Sequence, residues 1–600
     1  MGVWAQLARP TPAAVAAKKA AARRAAARKA AARRAAAKKA AAARAAAARR
    51  AARARGLPPA PPAAAPPAPT EESTVSAGPR PFDPAPTAAV PAAPPAPSPP
   101  AALSPSPAGS GWPAVFPPAA APQAAPGGIP LVDDPVAHLL RRSTFGVTAA
   151  MTDEVRRIGV GAWLDRQLAP ESIDDGAVEA AVQARWPRLA LSEAGAMARL
   201  SPFSWDLMFE LQRATLLRMA CSQRQLQEVM VDVWSNHLNV TCPSDKVWAT
   251  RHAYDLGIRL HALGSFRELL RASATSPAML HYLDNADSTG DAPNENYGRE
   301  LLELHTVGVG AGYTEAEVRM SALALTGFTV DDASQAFAYD ARRHYVGPLR
   351  VLDWGSDNVS AAGGLAVGLD YLDHLARHPA TARRIATLLA TRFVCDTPPG
   401  ALVDRLAAAY TAHDTAIVPV LRTLFASPEF WSCLGQKLRR PLDATVATMR
   451  VLSYAPTADG RTDAWEGLCW ALGSAGQAPL AWEPPNGYPD VAAAWLSTAG
   501  TLSRWNLALA LTQGWWSGGA SRAADTWQAL IGDPQPATAG ALIDRLCLRL
   551  LGQTLPDPAR SALLGFFGQA AGDAPEAWRL QYRVSPVVSL ILSSPVWSLR

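Results

Sequence analysis

Cysteine is scarce in this chain and is not arranged for metal binding or cross-linking. The 600 residues include six cysteines, and no two of them form a C-x-x-C pair. This spacing excludes a zinc module built from paired cysteines and a small scaffold held by disulfides. We therefore expect mostly buried, reduced thiols.

Long apolar runs are also lacking. No uninterrupted apolar run of 18 residues occurs in the sequence, so we expect no membrane-spanning helix. The N-terminus is basic and has no apolar segment of the kind that secretory signals carry. On these grounds the sequence predicts a cytoplasmic protein.

The common catalytic signatures are absent as well. The sequence contains no G-x-S-x-G elbow, no H-E-x-x-H helix and no Walker P-loop. Strand signals are sparse, and the best of them predict one small hairpin from residues 328–330 and 337–339. Apolar residues instead recur at three- and four-residue steps, for example along residues 226–234. The fold class is therefore predicted to be mainly α, a multi-helical globular body with at most a small β-hairpin.

Acidic residues are missing from the first 56 positions. Residues 1–56 hold 16 of the 57 Lys and Arg, and the remaining 41 basic and 51 acidic residues give the rest of the chain a charge of −10. Basic pairs repeat every five residues in alanine, so the charges spiral around a helix and leave no apolar stripe to bury. We predict a basic arm over residues 1–56 that is helical or disordered. Residues 18–55 either bind a polyanion nonspecifically, such as nucleic acid or an anionic surface, or form a solvated tail.

Proline and alanine dominate residues 57–130. Because proline fixes φ and removes backbone donors, this composition predicts a disordered linker, extended and semi-rigid. The helical body is predicted to occupy residues 131–600.

The densest group of chemically active side chains lies in residues 294–306, which we call the Asn294–Thr306 block. On a helix of about 100° per residue, three apolar residues are expected to face the core: Tyr297, Leu301 and Leu304. Three charged residues share the opposite side: Glu295, Arg299 and Glu303. Their four-residue spacing indicates a surface ion ladder, worth a few tenths of a kcal/mol per pair.

Glu300 and His305 lie on opposite edges of the apolar stripe. A carboxylate and an imidazole in these positions are candidate catalytic residues, because burial there would shift their pKa values. The alternative is that both anchor buried backbone groups.

A divalent metal ion is a second hypothesis for this region. His237 continues the apolar face of its helix, and with His281 and His305 it could complete a site of mixed nitrogen and oxygen ligands. Asp284 opens an oxygen-rich loop that would add a carboxylate. The alternative interpretation is a set of core histidines and an Asx-rich turn that positions the next helix.

Several long motifs resemble a bacterial family, the domain of unknown function 1800 family, from about Leu131 to Arg600. The motifs follow the family's order: His138–Gly146, Trp163–Leu168, Trp234–His237, Ala278–Asn285, Asn294–Thr306, His378–Ala382 and Pro485–Pro489. The chain departs from the family at His344, where His-Tyr-Val-Gly-Pro-Leu replaces the usual His-Asp-x-Gly-x-Lys. A charged site at His344 is therefore not expected.

The resemblance implies a partner and a location, although the family has no settled activity. Its members are often exported and often encoded beside a protein resembling phosphatases and sulfatases. Our leading hypothesis is a polar, metal-binding cleft with hydrolytic or envelope-modifying activity, in which Glu300 is the base. The alternative is a noncatalytic scaffold or chaperone for the phosphatase/sulfatase-like partner.

Overall fold

The computed structural model describes residues 134–516, 518–523 and 525–600, together with Trp112, residues 124–125 and residues 129–131. All of them fall in the compact unit Pro95–Arg600. The predicted arm (1–56) and most of the predicted linker (57–130) lie outside the described residues.

The described part is built mainly from α-helices, which confirms the predicted fold class. In chain order the helices are α1 (Pro135–Ser143), α2 (Ala149–Ile158), α3 (Val160–Leu168), α4 (Gly176–Arg185), α5 (Glu193–Arg199), α6 (Asp206–Cys221), α7 (Gln225–His237), α8 (Arg251–His261), α9 (Phe266–Ala274), α10 (Pro277–Tyr282), α11 (Glu295–Glu300), α12 (Glu315–Ala324), α13 (Gly364–Arg377), α14 (Pro379–Phe393), α15 (Gly400–Ala412), α16 (Ile417–Phe425), α17 (Pro428–Trp431), α18 (Pro441–Val451), α19 (Asp463–Ser474), α20 (Thr498–Gln513), α21 (Thr526–Ile531), α22 (Ala539–Leu551), α23 (Ala559–Phe567), α24 (Ala577–Tyr582) and α25 (Val584–Ile591). A π-helix, Leu301–His305, directly continues α11.

Short 3-10 helices join several of these elements: Pro170–Ser172, Pro187–Ala190, Asp245–Val247, Asn285–Asp287, Val309–Ala311, Ala341–Arg343, Ala361–Gly363 and Ala492–Ala494. The strands form four antiparallel pairs of two strands: β1 (Ala124–Ala125) with β2 (Ile129–Pro130), β3 (Phe328–Val330) with β4 (Phe337–Tyr339), β5 (Leu349–Val351) with β6 (Trp354–Ser356), and β7 (Tyr454–Pro456) with β8 (Ala520–Arg522). The hairpin predicted at residues 328–330 and 337–339 is confirmed, and Thr329 pairs with Ala338 at its centre. The sequence did not predict the other three strand pairs.

Local sequence accounts for the helices that carry the candidate site. In α7 the predicted apolar stripe is buried, with Leu226, Val229 and Trp234 fully enclosed. In α14 proline occupies the first helical position, and the His378 side chain caps the helix by accepting a hydrogen bond from the Ala380 N–H. The buried side chains of both helices join one continuous hydrophobic core.

Trp112 falls within the range predicted as linker, yet it packs on the helical body. Its indole N–H donates to Asp165 at 2.8 Å, and the Arg422 guanidinium lies 5.0 Å from its ring centre. Contact with the body therefore includes a residue before position 131. Among the described helices, none is both long and apolar enough to span a membrane.

Candidate functional site

The Asn294–Thr306 block is a helical segment, and it packs against α12. The Asn294 side chain caps α11 by accepting a hydrogen bond from the Asn296 N–H at 3.0 Å. A Cβ atom on Gly298 would lie 2.6 Å from the Ala322 backbone nitrogen, so glycine is required for this close approach. Ser321 also donates to the Gly298 carbonyl at 3.0 Å. Backbone contact between α11 and α12 therefore fixes the position of the block.

The second half of the block is a π-helix, which corrects the predicted helical wheel. The Thr306 N–H donates to the Leu301 carbonyl at 3.0 Å, five residues back, so the turn is wider than an α-turn. Tyr297 and Leu301 are buried as predicted, but Leu304 is only partly buried, while Leu302 and His305 are enclosed. A spacing of 100° per residue does not apply after Glu300.

The ion ladder predicted on the outer face is confirmed. Arg299 lies 3.6 Å from Glu295 and 3.5 Å from Glu303, both at four-residue spacing. Glu315, at the start of α12, joins them at 2.6 Å. The hydrogen bonds that Arg299 donates to Glu315 are the main cause that holds the pKa of Arg299 above its usual value, and Glu303 adds to the effect. The three residues of the ladder are engaged at the surface.

Glu300 and His305 do not form a hydrogen-bonded pair. Glu300 is half-buried, and burial, with Glu303 nearby, raises the pKa of its carboxyl group. It has no ion-pair partner among the described residues. His305 is fully buried, and neither of its ring nitrogens has a hydrogen-bond partner in the described part of the chain. Their predicted catalytic roles stay predictions.

His281 and Asp284 lie apart from the other predicted ligands. His281 neighbours Asp287 and Gln335, and burial lowers its pKa. The Asp284 carboxylate is 2.5 Å from the Lys246 ammonium, so it is already paired. Within the described ranges, no group of three or more His, Cys, Asp or Glu is placed to hold a metal ion. The structure does not assemble a metal centre from His237, His281, Asp284 and His305.

The structure does bring His237 and His305 together. His237 is the last residue of α7, and its Nε2 lies 2.9 Å from the His305 carbonyl oxygen. A carbonyl oxygen only accepts hydrogen bonds, so Nε2 carries the proton and donates it. Nδ1 of His237 is therefore the nitrogen with a free lone pair.

His237 opens on a cleft of about 500 Å³, which we call the histidine cleft. Its wall consists of His237, residues 307–311, and one face of α14: Ala380, Arg383, Arg384, Thr387 and Leu388. The volume is in the range of small-molecule sites in proteins. The cleft thus joins the end of the Trp234–His237 motif to the segment that follows the Asn294–Thr306 block.

Arg384 supplies the positive charge in the histidine cleft that has no ion-pair partner among the described residues. Its Nε donates to the Leu304 carbonyl at 3.0 Å, and no carboxylate in the described residues is within ion-pair distance of it. Gly308 permits this placement, because a Cβ there would lie 3.0 Å from Arg384 Nη1 and its φ is +83°. The adjacent Arg383 differs, since its guanidinium is paired with Asp404. Sequence reasoning missed Arg384, although it follows the His378–Ala382 motif closely.

Burial keeps the two histidines neutral. The pKa of His237 is lowered to about 3, first by burial and then by the charge of Arg384 and by His305. The pKa of His305 is lowered to about 3 by burial and by Arg384. The histidine cleft therefore presents one uncompensated cation beside an uncharged imidazole.

A buried network of charged groups holds the C-terminal part of α7, where His237 lies. Asp232 accepts from Arg440 at 2.6 Å, and Arg440 also donates to Asp443 at 2.9 Å. Arg392 lies 3.2 Å from Asp443 and 3.4 Å from Asp490. Burial alone would raise the pKa of Asp443, but Arg392 and Arg440 outweigh it and hold that pKa well below its usual value. Because Asp232 and Arg440 are 208 positions apart, no local sequence pattern predicts this network.

Asn236 and His344, two further residues of the family motifs, have structural roles. The Tyr488 N–H donates to the Asn236 side chain at 3.0 Å, which joins the Trp234–His237 and Pro485–Pro489 motifs. His344 lies 2.7 Å from the Thr326 carbonyl through Nδ1 and 2.9 Å from the Asn358 side chain through Nε2. Both ring nitrogens of His344 are thus engaged in holding the β3–β4 region.

The comparisons with known proteins identify one family. The sequence model of a family described as "Protein of unknown function (DUF1800)" matches residues 138–599. No curated protein and no solved structure matches the chain.

Proposed function

This chain belongs to the DUF1800 family of proteins of unknown function, and we propose that its histidine cleft binds a small anionic ester and hydrolyses it. One observation carries the proposal: the cleft contains a partly buried arginine, Arg384, with no carboxylate partner in the described residues. A guanidinium in this state favours an anionic ligand, because the ligand supplies the charge that the protein does not.

His237 would act as the proton acceptor. Its Nδ1 is the free nitrogen, since Nε2 donates to the His305 carbonyl. In the free protein the pKa of His237 is lowered to about 3, first by burial and second by the charge of Arg384. A bound anion offsets the Arg384 charge, so it raises the pKa of His237 toward the range of an effective base.

The proposed step balances in atoms and charge. A water molecule attacks the carbonyl carbon of the ester, and its proton passes to Nδ1 of His237. The bond to the leaving alcohol then breaks, and His237 returns the proton to the alcohol oxygen. Arg384 holds the substrate's anionic group during both stages.

The matched arginines of α14 provide the test. We would measure hydrolysis of the 4-nitrophenyl monoester of succinate by wild type, Arg384→Gln and Arg383→Gln. Arg384→Gln should lower kcat/KM about tenfold, as expected for losing about 1.4 kcal/mol of charge pairing. Arg383→Gln should leave it unchanged, since Asp404 already neutralises Arg383.

A second variant separates catalysis from binding. His237→Gln should lower kcat by a factor on the order of 100 or more with little change in KM, as for loss of a general base. Equal kcat/KM in Arg384→Gln and Arg383→Gln, or hydrolysis that His237→Gln leaves intact, would contradict the proposal.

The other functional predictions stay predictions. One of them is the scaffold or chaperone role for a phosphatase/sulfatase-like partner. Nonspecific polyanion binding was assigned to residues 18–55, which lie outside the described residues.

A further inference from the structure

A second cleft lies between the first helices of the described body and its last ones. It measures about 460 Å³, and we call it the arginine cleft. Its walls come from α1, α2, α18, α21, α22 and Trp597. Five arginines and two aspartates line it, a formal excess of three positive charges: Arg141, Arg156, Arg439, Arg450, Arg549, Asp134 and Asp153.

Four of the five arginines have no carboxylate partner among the described residues. They donate instead to backbone carbonyl oxygens, which leave the positive charge uncompensated. Arg141 donates to Leu551 and Arg549 to Ala529. Arg450 donates to Gly146 at 3.0 Å and to Ala220 at 2.9 Å. The fourth, Arg439, donates to the Trp597 carbonyl, and its guanidinium stacks 4.2 Å from the Trp597 ring centre.

The two aspartates do not neutralise this group. Asp134 caps α1 by accepting from the Val136 N–H at 2.9 Å, and it pairs with Arg156 at 3.2 Å. Asp153 is exposed. Burial is the main cause that lowers the pKa of Arg439 to about 9 and that of Arg450 to about 10, and it outweighs the acidic groups that raise them, such as Asp443 at Arg439. Arg141 and Arg600 add to the effect at Arg439.

We propose that the arginine cleft is a binding site for a small, multiply charged oxyanion, a phosphate ester or a polycarboxylate. Several guanidinium groups on one enclosed surface match the negative charge and the oxygens of such a ligand. Apolar side chains complete the wall, Leu530 and Leu550 among them, so the ligand's organic part has a surface to contact. A ligand with two or more negative charges offsets the excess, and a monovalent anion does not.

This site is independent of the histidine cleft. The two clefts share no lining residue. The arginine cleft also lacks a histidine in its wall, so the assignment is one of binding and includes no chemical step.

The helix α22 supplies a matched pair of variants for the test. Arg549 lines the arginine cleft, whereas Arg545, one turn earlier, does not. Arg545 likewise donates to carbonyl oxygens, those of Ile531 at 3.0 Å and Pro534 at 2.7 Å. Both substitutions to glutamine remove one charge from a full-length chain, so any anion binding by the basic N-terminal residues is the same in both.

Isothermal titration calorimetry with inorganic pyrophosphate and with citrate measures the effect. Wild type should bind both more tightly than acetate, and Arg549→Gln should raise Kd about fivefold, the change expected for loss of one exposed charge pair. Arg545→Gln should leave Kd unchanged. Equal Kd values for Arg549→Gln and Arg545→Gln, or acetate bound as tightly as pyrophosphate, would overturn the assignment.

Discussion

Replacing His305 by phenylalanine should change how the stability of this protein depends on pH. His305 is fully buried, and both of its ring nitrogens lack a hydrogen-bond partner in the described residues. Its pKa in the folded chain is about 3, against an ordinary value of 6.5, because burial and the Arg384 charge disfavour the protonated ring. Phenylalanine keeps a ring in the same space and cannot bind a proton.

The sign and size of the effect follow from proton linkage. Between pH 6.5 and about 3 the unfolded chain binds a proton at His305 and the folded chain does not. The free energy of unfolding therefore falls as pH falls, by about 1.4 kcal/mol per pH unit for this residue. The contribution is fully present above the unfolded pKa and is lost progressively below it. Wild type should thus lose about 2 kcal/mol more than His305→Phe between pH 6.5 and pH 5.

Equilibrium urea unfolding followed by far-ultraviolet circular dichroism at pH 7, 6, 5 and 4.5 measures this difference. The exposed His413 provides the control, since His413→Phe should follow the pH dependence of wild type. Parallel curves for wild type and His305→Phe would refute the reasoning, because they would mean that His305 takes up a proton in the folded chain.

Three further predictions concern packing, charge and the N-terminus. Gly298→Ala should lower the free energy of unfolding by about 1–3 kcal/mol, because its Cβ would lie 2.6 Å from the Ala322 nitrogen. Gly310→Ala is the control and should cost little, since nothing lies within 4 Å of the added Cβ. Equal losses of the two variants in urea unfolding would contradict the packing at Gly298. Arg440→Ala should lower the free energy of unfolding by about 3–5 kcal/mol, because buried Asp232 and Asp443 lose their nearest cation and keep only longer contacts, 3.8 and 3.2 Å from Arg392. Arg299→Ala should cost less than about 1 kcal/mol in the same assay, since its ion pairs are partly exposed, and the reverse order would contradict this prediction. Deleting residues 1–56 should abolish salt-sensitive DNA binding in a filter or gel-shift assay, and retained binding would remove any role for the arm.

Local patterns in the sequence predicted the local structure. The fold class, the β3–β4 hairpin and the ion ladder at Arg299 each depend on residues within a few positions of one another. Apolar periodicity and charge spacing directly indicate contacts between residues that are close in the sequence. The Thr314–Glu317 sequence likewise matches a capping box, and that capping box is present at the start of α12.

The π-helix was not predictable from that periodicity. Apolar spacing in the Asn294–Thr306 block fits an α-helix, and the choice of a five-residue hydrogen bond at Leu301 depends on packing against the rest of the body. As a result, Leu304 was expected in the core where Leu302 and His305 lie.

The candidate site itself depends on contacts between distant segments. His237 meets the His305 carbonyl across 68 positions, and Arg384 reaches the Leu304 carbonyl across 80. The buried pair of Asp232 and Arg440 spans 208 positions. Residue types indicated that His237 and His305 were worth attention, but only the fold shows that they meet through a carbonyl oxygen beside Arg384.

The most direct test of the histidine cleft is the protonation of His237, read by NMR of protein labelled with nitrogen-15 at histidine. The His237 signals are assigned by their loss in His237→Gln. We expect a neutral ring protonated at Nε2 at pH 6. When the succinate monoester's unreactive amide analogue is added, the pKa of the ring should rise in an NMR pH titration while Nδ1 stays unprotonated at pH 6. Arg384→Gln should remove that response and Arg383→Gln should preserve it. A ring protonated at Nδ1, or a His237 pKa that saturating ligand leaves unchanged in wild type, would contradict the central claim.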